Sequence, residues 1–359
     1  MQNEVQTIGF GIIGCGVIAP THADAIRANQ PNGGELVAVY DIVWEAAQKL
    51  AARFNVPAYS DLTAFLAHPG LDVVNVCVPS GLHSQVGELA ARAGKHLMLE
   101  KPLDITLEAA DRLIQTCQEQ EVKLAVISQH RFSPAMRQLR TALEAGRFGD
   151  LVLGDAIIKW YRTQQYYDSA GWRGSYQFDG GGALMNQGVH YVDLLQWTMG
   201  AVKSIRAVTR TRTHQIEVED VALAILQFEN GAIGTIEGST SVYPGLPERL
   251  EISGRDGTAI LEAGRIKTWE LRDEKGEAGN YGGVTKLPNV ENISATSAAA
   301  DPAAISNSGH VFQVGDMLEA IRQQREPILN GEEARKPLEI VLAIYQSARE
   351  NREIFLPLK

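Results

Sequence analysis

Two rhythms of apolar residues divide this chain. In the first third, short unbroken apolar runs recur: Ile8 to Ile13, Glu35 to Tyr40, Val73 to Val78, Leu97 to Leu99 and Lys123 to Ser128. Such runs suit strands buried on both faces. Between them lie stretches at helical spacing, about Val17 to Asn29, Ser84 to Ala93 and Thr106 to Glu119. Strand and helix in alternation predict a doubly wound parallel sheet, an α/β domain over residues 1–126.

Beyond that point the rhythm changes. A helix is expected from Pro134 to Ala145, followed by period-2 stretches at Leu151 to Trp160, Val202 to Arg212, Val221 to Phe228 and Ala232 to Ser241. Shorter strands are expected at Arg249 to Ser253, Thr258 to Leu261 and Ile266 to Leu271. Asn230-Gly231 and Asp256-Gly257 carry the turn chemistry of tight hairpins. Hairpins without intervening helices predict an α+β domain over 127–359 with a large open, mainly antiparallel sheet. Residues 275–309 lack periodicity, which predicts a lid, an oligomer arm or local disorder. Helical stretches at about His310 to Gln324 and Arg335 to Asn351 follow, and the apolar Ile354 to Pro357 is expected to dock.

Composition narrows the classes. The 359 residues are 45% hydrophobic and 21% charged, which fits a soluble globular protein with ample core. A net charge of −10 argues against nucleic acid or an anionic membrane as partner. Cys15, Cys77 and Cys117 match neither a disulfide framework nor a zinc pattern. No metal site is expected. With no signal peptide or membrane-spanning run in view, a reducing cytoplasm is the expected location.

The chemistry begins where the first strand ends. Gly14-Cys15-Gly16-Val17-Ile18-Ala19 is a G-x-G-x-x-A form of the dinucleotide fingerprint of a Rossmann domain. Gly14 permits the tight turn, Gly16 the approach of a pyrophosphate, and the helix from Val17 and Ile18 onward would aim its N-terminus at phosphate. Asp41, ending the second strand, lies where an acid would bond the ribose hydroxyls, or would cap a helix. No Arg or Lys follows it in Ile42-Val43-Trp44, so NAD is favoured over NADP. Pro79, Ser80 and His83 leave the third of these strands and are candidate cofactor contacts, as is Gln129 after the last. His83 can equally be a structural helix-start residue. Glu100-Lys101-Pro102 follows an apolar strand, at the carboxyl end where ligands of open parallel sheets bind, so Glu100 and Lys101 stand where a cofactor would meet a substrate and are candidate cofactor contacts too. Charges placed there need partners or a task.

In the second domain the informative segment is Tyr161 to Asp193. Arg162 and Arg173 suit a carboxylate or phosphate, and Tyr166, Asn186 and Gln187 suit sugar hydroxyls. Trp172 and one of the tyrosines have an alternative reading as core. Gly180-Gly181-Gly182 precedes a helix on which Asn186, His190 and Asp193 share one face.

The glycine fingerprint, Glu100-Lys101-Pro102 and the Asp179-Gly-Gly to His190 helix together resemble the Gfo/Idh/MocA oxidoreductases over essentially the whole chain. The resemblance implies that Lys101 and His190 flank the reacting carbon and that the second-domain sheet builds a homodimer or homotetramer. Tyr166 to Gly174, Met185 to Gln187, His190 to Leu195 and Glu217 to Asp220 are similar, more narrowly, to the UDP-N-acetylglucosaminuronate 3-dehydrogenases. Ser128-Gln129-His130-Arg131 departs from the Gln-Asn-Arg expected in those relatives.

The expected function is NAD-dependent oxidation of a secondary sugar hydroxyl, C3 of a UDP-amino-sugar uronate. Lys101 and His190 are the expected catalytic pair. Expected substrate contacts are Lys101, Arg162, Tyr166, Trp172, Arg173, Asn186, Gln187 and His190. The rivals are a dehydrogenase of a free sugar, glycoside or inositol, and a non-catalytic nucleotide sensor on the same fold. Retention of both Lys101 and His190 speaks against the sensor.

Overall fold

Six parallel strands take up the apolar runs of the first third of the chain. In the computed structural model, which describes residues 6–275 and 308–358, the chain divides into two units. The first holds residues 6–129, 177–180 and 308–338. Its strands are β1 (Ile8–Ile13), β2 (Gly34–Tyr40), β3 (Ala58–Tyr59), β4 (Val73–Val76), β5 (His96–Leu99) and β6 (Leu124–Val126). Helices α1 (Ala19–Ala28), α2 (Trp44–Phe54), α3 (Leu62–Leu66), α4 (His83–Arg92) and α5 (Leu107–Glu119) lie between them in sequence. The sheet order is β3-β2-β1-β4-β5-β6, the Rossmann order, with its switch point between β1 and β4. Register aligns the strand ends in one row: Ile13 pairs with Tyr40 and Val76, Val76 with Leu99, and Leu99 with Val126. The segments that follow these ends therefore share one edge of the sheet.

The helix Ser308–Gln323 also packs in this unit. Its Val314, Met317 and Leu318 join the core formed by Ile8, Phe10, Ala23 and Ile26. A division into 1–126 and 127–359 assigns this helix to the second domain. The structure corrects that assignment, because the apolar stripe of the helix is buried against β1 and α1, far away in sequence. Residues 276–307 lie outside the described residues, as does most of the stretch expected to be a lid or arm.

The second unit carries an eight-stranded sheet in the order β13-β12-β11-β7-β10-β9-β8-β14. Its strands are β7 (Leu151–Lys159), β8 (Val202–Arg210), β9 (Val221–Phe228), β10 (Ile233–Ser239), β11 (Arg249–Gly254), β12 (Gly257–Glu262), β13 (Arg265–Leu271) and β14 (Ile354–Phe355). All neighbours pair antiparallel except β7 with β10. The terminal Ile354-Phe355 docks on β8, as its apolar character suggested. Helices α6 (Pro134–Glu144), α7 (Gln164–Asp168) and α8 (Val189–Met199) complete the part that concerns function. Among the described residues no helix is long and apolar enough to cross a membrane.

One departure from regular helix matters. Residues Ala183–Gly188 form a π-helical turn that runs into α8. A π-turn adds a residue to the turn, so Asn186 and His190 do not keep the simple i, i+4 relation of an α-helix. The start of this turn is held from a distance. Glu219 accepts the Gly182 and Leu184 N–H groups through its carboxylate, each at 2.9 Å, and the Ala183 N–H through its carbonyl at 3.0 Å. Tyr345 Oη accepts the Met185 N–H at 3.3 Å and donates to Glu219 Oε1 at 2.8 Å. Four successive donors at a helix start, ordinarily orphaned, are all satisfied. Gly182 has to be glycine, since a Cβ there would lie 1.9 Å from the Glu219 carbonyl oxygen.

Burial pushes the Glu219 carboxyl up to about 7, against the hydrogen bonds from Leu184, Gly182 and Tyr345 that favour its charge. The folded state therefore holds this proton more tightly than the unfolded chain. Stability from this group is greatest below the ordinary value of 4.5 and falls as pH rises toward about 7. Glu219→Gln is expected to remove that fall. Between pH 5 and 8 the variant should lose on the order of 2–4 kcal/mol less unfolding free energy than the wild type, read by urea denaturation at each pH. Parallel pH curves for the two proteins would refute the assignment.

Candidate functional site

The candidate cofactor site is built on the aligned strand ends of the first unit. Gly14 leaves β1 with φ at +91°, and a Cβ there would meet the Cys77 carbonyl oxygen at 2.6 Å, so the ends of the parallel strands β1 and β4 lie close together at the switch point. Gly16 is different: among the described residues nothing lies within 4 Å of its missing Cβ, and Val17 beside it is 81% exposed. That open backbone is a cradle of the kind a pyrophosphate fills. Among the described residues no side chain caps the start of α1, whose positive end faces the same turn. The helix begins at Ala19, two residues later than its periodicity suggested, leaving Gly16, Val17 and Ile18 in the turn.

Asp41 sits beside this loop. Its carboxylate accepts the Cys15 N–H at 2.7 Å and the Val43 N–H at 2.8 Å. It does not cap α2, whose cap residue is Val43. It locks the fingerprint loop onto β2 and keeps lone pairs for hydroxyl donors. Pro79 and a buried Ser80 follow β4 in a short 3-10 turn. His83 is buried against backbone: Nδ1 lies 2.7 Å from the Pro102 carbonyl and Nε2 3.0 Å from that of Val78. Burial holds its pKa below the ordinary value, and the bond to Pro102 works against that shift. The ring ties β4 to the turn after β5, which is the structural of its two readings. Gln129 is also buried, in a 3-10 turn after β6, and its amide oxygen has no hydrogen-bond partner among the described residues.

Glu100 and Lys101 emerge at the end of β5, and Lys101-Pro102 is a cis peptide bond. Glu100 is buried. Its Oε1 lies 2.9 Å from His22 Nε2, and its Oε2 accepts the Lys101 N–H at 3.2 Å. Lys101 is only partly buried. The structure thus brings Gly14, Gly16, Asp41, Pro79, Ser80, Glu100 and Lys101 to one edge of one sheet. His22 is a residue that sequence reasoning passed over, because one histidine in a helix carries no spacing signal.

The second unit holds the polar and aromatic candidates. Arg162 is buried, donates to Gln187 Oε1 at 3.1 Å, and packs over Trp160 and Tyr166 at 5.1 and 5.5 Å. Burial lowers its pKa, with Tyr166 and Tyr167 opposing. Gln187 Nε2 donates to Tyr166 Oη at 2.7 Å, and so does Arg173 Nη1 at 2.5 Å. Arg173 is stacked over Tyr166 and Trp172 at 4.3 and 4.6 Å. Arg162, Gln187, Tyr166 and Arg173 therefore form one chain of contacts, with Trp172 at its end. Two guanidiniums held by aromatic faces suit an anionic ligand, and the amide and phenol suit hydroxyls.

His190 lies on α8, 8% exposed, its ring 4.8 Å from that of His130. Asp193, expected on the same polar face, is engaged elsewhere: its carboxylate takes Arg131 in a bidentate pair, Nε at 2.8 Å and Nη2 at 2.5 Å. Both partners are buried. Arg131 and Asp193 thus fix the start of α6 to α8 and are structural. His130 and Glu219 were missed as well. Only their proximity in space brings them to the His190 helix.

Comparison with known proteins bears on this geometry. Residues 8–128 match the oxidoreductase family model with the NAD-binding Rossmann fold, and residues 136–260 match the Gfo/Idh/MocA C-terminal domain model. The WlbA dehydrogenase of Bordetella pertussis, solved with NADH and UDP-GlcNAcA, is 34% identical over 99% of this chain and 100% of its own, with a TM-score of 0.85. The WlbA dehydrogenase of Chromobacterium violaceum, solved with the same two ligands, is 31% identical over 99% and 97%, also at 0.85. The myo-inositol 2-dehydrogenase of Thermotoga maritima is 26% identical over 76% of this chain and 80% of that protein. With its fingerprint cradle, its Asp41 and its Glu100-Lys101-Pro102 turn on a matched Rossmann sheet, the chain belongs to the Gfo/Idh/MocA oxidoreductases and binds NAD through its first unit.

Proposed function

We propose that this enzyme oxidises the C3 hydroxyl of UDP-N-acetylglucosaminuronic acid with NAD. The observation that carries the reading is the chain of contacts from Arg162 through Gln187 and Tyr166 to Arg173, in a protein similar along its whole length to dehydrogenases crystallised with UDP-GlcNAcA. A uronate carboxylate and a diphosphate both call for guanidinium partners, and both arginines stand ready on aromatic supports.

The residues divide the work by chemistry. Bound NAD supplies the hydride acceptor. Lys101, emerging from β5 beside the cofactor edge, donates a hydrogen bond to the reacting hydroxyl oxygen and steadies the charge that grows there. The hydroxyl proton released as the hydride leaves goes to a general base, a role that the His190 imidazole and the Lys101 amine are each equipped to fill. Tyr166, Asn186 and Gln187 bond the remaining hydroxyls. Asp41 takes the ribose, in keeping with NAD in place of NADP.

A second reading, oxidation of a free sugar or inositol, is favoured by two observations. Arg131 is held in a bidentate pair by the buried Asp193, which offsets the charge it could offer a uronate. The likeness to myo-inositol 2-dehydrogenase points the same way.

We also infer a homo-oligomer, a dimer or tetramer, formed through the open face of the eight-stranded sheet. Val208, Leu223, Ile225 and Ile233 expose 51–59% of their surface there, and register puts Val208 beside Leu223 on neighbouring strands. A patch of this kind fits the same patch on a second copy.

Three measurements test these readings. Mixing NAD-loaded enzyme with UDP-N-acetylglucosaminuronic acid should raise absorbance at the reduced-nicotinamide band, while UDP-N-acetylglucosamine stays inert. Reduction only by inositols or free sugars would establish the second reading. Lys101→Met and His190→Asn should each lower kcat by about 10²–10⁴-fold on the true substrate, and retention of most activity in either would remove that residue from the proton chemistry. Ile225→Glu should shift the mass found by light scattering toward the monomer. An unchanged mass would exclude this face as the contact.

A further inference from the structure

Behind Lys101 lies a cluster that the proposed chemistry does not use. His22 from α1, Glu100 from the end of β5 and His310 from the helix Ser308–Gln323 come together inside the first unit, each at least nine-tenths buried. His22 Nε2 is 2.9 Å from Glu100 Oε1, and His310 Nε2 is 3.6 Å from the same oxygen. The two imidazoles meet edge to face at 5.2 Å. On its other side His22 Nδ1 receives Asn75 Nδ2 at 2.8 Å, which leaves Nε2 as the nitrogen that carries hydrogen. Among the described residues neither ring nitrogen of His310 makes a full hydrogen bond, the contact with Glu100 being longer than one.

We propose that His22 and His310 are positioning residues for Lys101, acting through the Glu100 carboxylate. Burial opposes ionisation of Glu100, yet its contacts with His22 and His310 hold its pKa well below the ordinary value. Burial likewise keeps His22 below its ordinary value, so a neutral ring donates one hydrogen bond to a fixed anion. The anion's second oxygen takes the backbone N–H of Lys101 itself. Three elements distant in sequence therefore fix the peptide from which the Lys101 side chain departs. His22 also sits on the helix that opens with the dinucleotide fingerprint, so the cofactor loop and the lysine turn share one anchor. Three such donors also resemble a ligand set for a divalent cation. The 2.9 Å spacing of His22 and Glu100 is that of a hydrogen bond, which uses the nitrogen a cation would need.

The inference rests on Lys101 as a proton-handling group, so its test has one arm that needs no substrate. In the substrate arm, Glu100→Gln and His22→Leu should lower kcat by about ten- to a hundredfold with NAD affinity, read by nucleotide fluorescence, changed little. His22→Gln, which keeps a donor toward Glu100, should recover most of that loss. In the substrate-free arm, competitive acetylation of the full-length NAD-bound enzyme, read by peptide mass, should show Lys101 labelled several-fold differently from wild type in His22→Leu and His310→Leu. Lys95, on the same strand approach, serves as the internal standard. A variant that keeps kcat, or Lys101 labelling that matches wild type in both leucine variants, would overturn the proposal. So would a stoichiometric divalent metal in the purified enzyme whose removal reproduces the loss, since the cluster would then be a metal site. If no substrate in the panel reacts while Lys101 labelling moves as expected, the positioning role stands and the substrate assignment falls.

Discussion

Taking a carboxylate out of water is costly, and each unit of this protein buries one that holds a stretch of backbone in place. Glu100 and Glu219 are both buried, and both accept backbone N–H groups from the segment that carries a key side chain. A buried anion with fixed donors has few alternative arrangements, because every departure leaves charge or donor unpaired. The segment that supplies the donors becomes equally fixed. Glu100 does this for the turn bearing Lys101, and Glu219 for the π-turn that leads to His190.

The two carboxyls differ in how their charge is compensated. Glu100 has imidazoles beside it and stays well below its ordinary pKa. Glu219 has, among the described residues, backbone amides and a phenol, and burial wins, carrying it to about 7. The first is a permanent anion at physiological pH. The second stands near its midpoint there, so the start of the His190 helix is held by a group whose charge responds to pH.

Around these anchors the remaining polar groups sort by what they touch. Asp41 closes the fingerprint loop, His83 joins two strand ends, and Arg131 with Asp193 joins α6 to α8. Arg162, Arg173, Tyr166 and Gln187 instead bond chiefly to one another, a chain of polar tips with aromatic backing.

Much of this was legible in the order of residues. Unbroken apolar runs and their spacing gave β1 to β6, because a strand buried on both faces tolerates little else. The glycines at 14 and 16, the acid at 41 and the charged turn at 100–102 declared themselves by position relative to those runs. Asn230-Gly231 and Asp256-Gly257 marked the hairpins of the second sheet, since few residues adopt such turns. These are local signals, set by φ, by periodicity and by the cost of placing charge beside apolar sequence. The remainder depended on partners that no spacing announces. His22 and His310 meet at Glu100 from opposite ends of the chain, and Glu219 and Tyr345 receive the donors of a helix that starts at Gly182. Asp193 looked like a member of a catalytic stripe until Arg131 was found to hold it. The helix Ser308–Gln323 read as part of the second domain until its stripe was seen against β1 and α1. A buried polar atom or an apolar stripe requires a partner, but the requirement can be met from anywhere in the chain, and only the packed structure decides from where.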